Sequence, residues 1–146
     1  MRDYLLIYVN SRRYKISGKR GFQSLSDFLR YDLGMVGTKV VCAEGDCGSC
    51  TVLIGRVRNS QLLYEGIDSC IQYLYQLDCS HVITVEGLKD EAQIIHPVQK
   101  AMVDAAGSQC GYCTPGFVMA LAAMLETGEA LTRHSVQDGL TGNLCR

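Results

Sequence analysis

The sequence has no tryptophan, only two prolines and only three phenylalanines in 146 residues. Nor does it contain anything near the ~18 uninterrupted apolar residues that a membrane-spanning helix requires. No sign of charge dominates, because 14 basic and 15 acidic side chains leave a formal net charge of −1. That balance lacks the basic surplus of a nucleic-acid binder and the acidic excess of a disordered, solvating chain. The start, Met1-Arg2-Asp3-Tyr4, runs into a short apolar stretch without the small-residue cleavage site of a secretory signal. A cytoplasmic protein is expected. Internal repeats, low-complexity tracts and a Pro/Ser-rich linker are all missing, and none of the three histidines pairs with a nucleophile in sequence.

What the chain does have is cysteine. There are eight, at Cys42, Cys47, Cys50, Cys70, Cys79, Cys110, Cys113 and Cys145. Five of them fall into two tight groups, a grouping that a disulfide framework does not need. Disulfides are rare in the reducing cytosol, where such spacing points to metal or redox chemistry instead.

The hydrophobic pattern divides the chain in two. Tyr4–Val9 and Arg12–Ile16 read as strands joined by a turn at Asn10-Ser11. Ser24 can cap a helix whose apolar positions Leu25, Phe28, Leu29 and Leu33 follow helical spacing, with Gly34 as its stop. Thr51–Ile54 is β-branched and apolar, and Gly55 and Asn59-Ser60 are expected to interrupt it before a further strand at Gln61–Tyr64. His81–Val85, closed by Gly87, is the last strand. Beyond about residue 90 the period becomes helical. Pro97 opens a helix with Val98, Ala101, Met102 and Ala105 on its apolar face. Thr114-Pro115 caps and starts another, carrying Phe117, Val118, Leu121, Met124 and Leu125. Thr132 caps a third that reaches about Leu140.

The first cysteine group is Cys42-Ala43-Glu44-Gly45-Asp46-Cys47-Gly48-Ser49-Cys50. Its C-x4-C-x2-C spacing is the plant-type ferredoxin pattern for a 2Fe-2S cluster, which takes one more, distant cysteine. Such a cluster with four thiolates carries a net charge of about −2, so the loop must surround sulfur with inward-pointing N–H donors. Gly45 and Gly48 permit this, because glycine takes positive φ and brings backbone close. Spacing alone leaves the fourth ligand open between Cys70 and Cys79, since loop length costs only logarithmically. The second group, Cys110-Gly111-Tyr112-Cys113, stands at a predicted helix start, where free N–H groups favour anions. By itself C-x2-C also fits half a zinc site or a dithiol pair. Cys145 brings the second set to three.

Several strings together are more specific: Gly37-Thr38-Lys39, the first cysteine loop through Thr51, His96-Pro97-Val98-Gln99, Gln109 through Gly116, and Gly142-Asn143-Leu144-Cys145-Arg146. In this order they resemble the iron–sulfur portion of the molybdenum hydroxylases, the xanthine dehydrogenase and aldehyde oxidase family, over essentially the whole chain. Gly107-Ser108-Gln109 and Gly116-Phe117-Val118-Met119 are most similar to the xanthine dehydrogenase branch and its bacterial iron–sulfur/FAD subunit. The resemblance implies an α+β architecture: a 2Fe-2S ferredoxin-type β-grasp domain over residues 1–86, then an all-α four-helix 2Fe-2S-binding domain over 87–146. It also selects Cys70 as fourth ligand of the first cluster, beside Cys42, Cys47 and Cys50. The second cluster would use Cys110, Cys113, Cys145 and a cysteine two positions beyond Cys145, which would make this chain a fragment cut inside its last ligand motif. With that ligand missing, residues 140–146 are expected to fray. One departure from the family pattern is Val40-Val41 before Cys42, where a glycine is usual. Valine resists positive φ, so the way into the loop is expected to differ.

The resemblance further places Gln109 against a molybdopterin cofactor on a partner subunit, and implies an FAD domain or subunit with NAD as final acceptor, in a hetero-oligomer. This chain alone is then an electron conduit without substrate chemistry. Competing readings are a structural zinc module, the small iron–sulfur subunit of an aldehyde, nicotinate or CO dehydrogenase type enzyme, and a freestanding ferredoxin. The helical half is superfluous in the last of these. Plainer roles are expected for Tyr112 (packing that shields a cluster), for Phe117, Leu121 and Met124 (helix core), for His81 and His134 (surface), and for Arg12, Arg13, Lys15, Lys19 and Arg20 (a solvated face).

Overall fold

The computed structural model describes residues 2–89, 92, 94–128 and 130–146. Five strands, β1 (Leu5–Val9), β2 (Arg12–Ile16), β3 (Thr51–Arg58), β4 (Gln61–Asp68) and β5 (Ser80–Ile83), form one mixed sheet in the order β2-β1-β5-β3-β4. Only β1 and β5 run parallel. Across one face lies α1 (Leu25–Asp27), which widens into a π turn over Phe28–Asp32. Ser24 caps α1 by accepting from the Asp27 N–H.

Side chains alternate across a strand, and here that alternation builds two cores. Val52 and Ile54 join Ile7, Val9 and Val82 beneath Leu25, Phe28, Leu29, Leu74 and Leu77. Leu53, one residue out of phase, points to the opposite face and meets Met119 and Ala122. Those two belong to α3 (Thr114–Glu126), which with α2 (Pro97–Asp104) and α4 (Arg133–Gly139) makes up the second half among the described residues. The short 3-10 turn Val85–Gly87 packs against α3 as a further helical element.

Four expectations need correction. Gly55 does not interrupt its strand: β3 runs through it, because the Tyr64 ring on β4 lies where a side chain would project, 2.6 Å from an added Cβ. The face that α3 buries is carried by Met119 and Ala122 instead of Phe117, Leu121 and Met124, which are only half-buried. A helix apolar nearly all round gives its period no preferred face. Thr114 is the first helical residue, not the cap, and its hydroxyl bonds Ser108. His81 is more than a surface residue: its ring bridges the Tyr64 hydroxyl at 2.7 Å and the Asn10 carbonyl at 2.6 Å, tying β4 to the β1–β2 turn through β5. The sequence did locate His96 correctly at a helix start, where a reciprocal capping box with Gln99 begins α2.

Candidate metal centre

The segment Cys42–Cys50 has no helix or strand. Positive φ falls at Ala43 (60°), Gly45 (78°) and Gly48 (67°), so the turns are taken one residue after Cys42. Neither Val40 nor Val41 has positive φ. The entry through the valines therefore needs no left-handed residue before Ala43. The bent backbone points its donors at sulfur. N–H groups of Glu44 and Asp46, joined by that of Cys47, bond the Cys42 thiol and bring it down to about 6 from the ordinary 9.0. The cradle of inward N–H donors is present at this thiol.

No disulfide joins any of the eight cysteines. Several meet in pairs. The Cys42 and Cys47 side chains lie within hydrogen-bond reach of each other. Cys50 is fully buried, and burial first, then the adjoining Cys70 and Asp68, push its thiol up to about 12. Cys113 is raised as well, by burial and then by Cys145 and Cys110. Cys79, the rival for fourth ligand, is elsewhere: it is exposed, and the Arg2 guanidinium donates to its sulfur at 3.2 Å. Among the described residues no three His, Cys, Asp or Glu side chains converge as a single metal ion requires. A diiron cluster takes two thiolates on each iron, and the paired thiols match that donor set.

The two cysteine groups are also joined. Gly116, in the first turn of α3, lies against the loop so tightly that an added Cβ would collide with the Gly48 carbonyl and sit 2.9 Å from Ser49 Cα. The Leu144 N–H donates to the Cys47 carbonyl at 3.0 Å, and Asn143 Nδ2 donates to the Gly48 carbonyl at 3.0 Å. Lys39 Nζ stands 5.9 Å from the centre of the exposed Tyr112 ring. These bonds anchor the tail that was expected to fray. Gln109 is exposed beside Cys110.

The comparisons agree with this arrangement. Residues 7–82 match the family described as 2Fe-2S iron-sulfur cluster binding domain, and residues 84–146 match a [2Fe-2S] binding domain. The chain belongs to the 2Fe-2S iron-sulfur cluster binding domain family. This iron–sulfur protein is 40% identical over 144 residues to a xanthine dehydrogenase of Oryza sativa subsp. japonica, a match covering 97% of this chain and 10% of the relative. A xanthine dehydrogenase of Emericella nidulans is 38% identical over 146 residues, 99% of this chain and 11% of the relative. The chain thus spans about a tenth of the length of these relatives. Among solved structures, quinoline 2-oxidoreductase from Pseudomonas putida 86 superposes with a TM-score of 0.80 at 30% identity, covering 98% of this chain and 82% of that one. Aldehyde oxidoreductase from Desulfovibrio gigas gives 0.81 at 31% identity, covering 97% and 15%. The resemblance carried by the motifs is borne out, as is the α+β architecture.

Sequence reasoning quoted Gly116, Asn143 and Leu144 as motif letters without giving them a task. A glycine in the first turn of a helix, where a better helix former would stand, was the available signal of a close backbone approach.

Proposed function

We propose that this chain is the electron-transfer module of a molybdenum hydroxylase of the xanthine dehydrogenase type, holding two 2Fe-2S clusters. Cys42, Cys47, Cys50 and Cys70 would hold the first. Cys110, Cys113 and Cys145 would hold the second, together with a ligand from outside residues 1–146. When bound, the clusters supply one-electron chemistry with little rearrangement, tuned by thiolate ligation and hydrogen bonds to sulfur. Two electrons from a molybdopterin site on a partner would leave one at a time, through the helical half and then the β-grasp half, to FAD and NAD. Domain limits of 1–86 and 87–146, and a cytoplasmic location, go with this reading. No helix among the described residues is long and apolar enough to cross a membrane.

The observation that carries the proposal is the junction itself. The Leu144 N–H bonds the Cys47 carbonyl, and each of those residues is, or adjoins, a ligand of a different cluster. A zinc module needs no such contact between its two sites. The test is metal analysis of the purified protein. Brown colour, iron and equal acid-labile sulfide support the proposal, whereas a colourless protein with stoichiometric zinc overturns it. The family resemblance assigns Gln109 to the partner's molybdopterin side, and its exposure leaves it open to such a partner. Gln109→Ala should slow cluster reduction by the partner at unchanged iron content, and equal rates would remove that assignment.

The same domain pair accounts for most of the quinoline 2-oxidoreductase chain and a small part of the aldehyde oxidoreductase chain. That observation favours, as a second reading, a separate small iron–sulfur subunit of a related hydroxylase. The electron-transfer role is unchanged by it.

A further inference from the structure

We propose that Asp68 sets the reduction potential of the first cluster, holding it more negative than the ligand loop alone would; the inference rests on the ligand assignment above. The β3–β4 hairpin turns at Asn59-Ser60, both with positive φ, and that two-residue turn fixes the register so that Asp68 pairs with Thr51. The carboxylate is thereby held beside Cys50, the residue before Thr51, with Oδ1 3.8 Å from the sulfur.

A free Cys50 thiol can donate its proton to that oxygen. An iron-bound thiolate has no proton, and a carboxylate can only accept, so the contact turns from attractive to repulsive when the sulfur is ligated. The other polar neighbour relieves it little. Thr51 Oγ1 is 3.5 Å from Asp68 Oδ1, but its proton goes to the Gly48 carbonyl at 2.6 Å. Among the described residues no Lys, Arg or His forms an ion pair with Asp68. Accepting an electron adds one more negative charge at the site that Cys50 would hold. A fixed, unpaired carboxylate opposes that addition, and net charge next to a cluster is among the factors that set its potential.

Among the described residues Asp68 bonds Cys50 and Thr51, whereas the neighbours that raise Cys113 after burial are thiols. Asp68 should therefore act more strongly on the first cluster than on the second, which supplies an internal reference. The carboxylate lines a cleft of about 250 Å³ shared with Ala120, Ala123 and Asn143, so an amide of the same size fits.

The experiment is a redox titration of the holoprotein with mediator dyes, followed by electron paramagnetic resonance, on Asp68→Asn and Asp68→Glu. Asp68→Asn should raise the reduced-to-oxidised ratio of the first cluster at least tenfold at fixed ambient potential, about 59 mV for a one-electron centre. The second cluster should shift less than the first. Asp68→Glu keeps the charge and should stay near the unmodified protein. An unchanged first cluster in Asp68→Asn, an equal shift of both clusters, or the same shift in both variants overturns the proposal. Absence of any 2Fe-2S signal in the unmodified protein overturns the ligand assignment first and this inference with it.

Discussion

The two halves reach a cluster-binding geometry by different means. In the β-grasp half the cysteines are set into a molecule with its own core: Cys47 and Cys50 are buried, and eleven buried apolar residues, Leu25 of α1 among them, form one cluster with the sheet. The helical half is thinner. Cys110 and Cys145 are exposed, Val98 is the one buried residue of α2, and the deepest side chain of α3, Met119, is buried against the sheet of the other half. An open apolar groove of about 450 Å³ runs between α2 and α3. The first half has a core of its own, whereas the second draws on the first for much of its packing and for the anchoring of its tail. This difference suits a relay: one site is shielded, and the other is near the surface where a donor can approach.

The largest expected effect is chemical. Cys70→Ser should lose the first cluster, about two irons per chain, while Cys79→Ser keeps it, because only Cys70 adjoins Cys50. Iron analysis of the two variants decides, and the reverse pattern would exchange the assignments. Next comes packing. Met119→Ala removes a fully buried side chain and should cost about 2–5 kcal/mol. Helical signal should be lost at lower denaturant while first-cluster absorption persists. Simultaneous loss of both signals would show that the halves do not differ in independence.

Gly116→Ala is smaller and more specific. Alanine favours a helix by up to ~1 kcal/mol, but overpacking against the Gly48 carbonyl and Ser49 should cost about 1–3 kcal/mol, so destabilisation wins. Thermal unfolding should move down and the two sites should separate. The smallest effect concerns Cys42. Its folded pKa of about 6 lies below the ordinary 9.0, so the thiolate is favoured by folding. The associated stability is present above the ordinary value and is lost as pH falls through about 6. In cluster-free protein, alkylation of Cys42 should have its midpoint near pH 6, well below that of an ordinary thiol.

Much of this was legible in the sequence. The C-x4-C-x2-C spacing and its glycines located the first loop, and the strand and helix periods located most elements, because one-sided burial writes a period into the chain. Gly55 was misread as a break, since nothing local announces a ring stacked from the neighbouring strand. The buried face of α3 was misjudged because Phe117, Val118, Met119, Leu121 and Met124 offer apolar groups on every side. The Gly48–Gly116 contact and the Asn143 bond join residues far apart in sequence, which periodicity does not report.

The two thiol sets would hold two 2Fe-2S clusters joined through the Cys47–Leu144 hydrogen bond. Electron paramagnetic resonance of the fully reduced holoprotein tests this most directly. Two distinct signals, each broadened or split by the other at low temperature, are the predicted result. A single signal, or two that ignore each other, would contradict it.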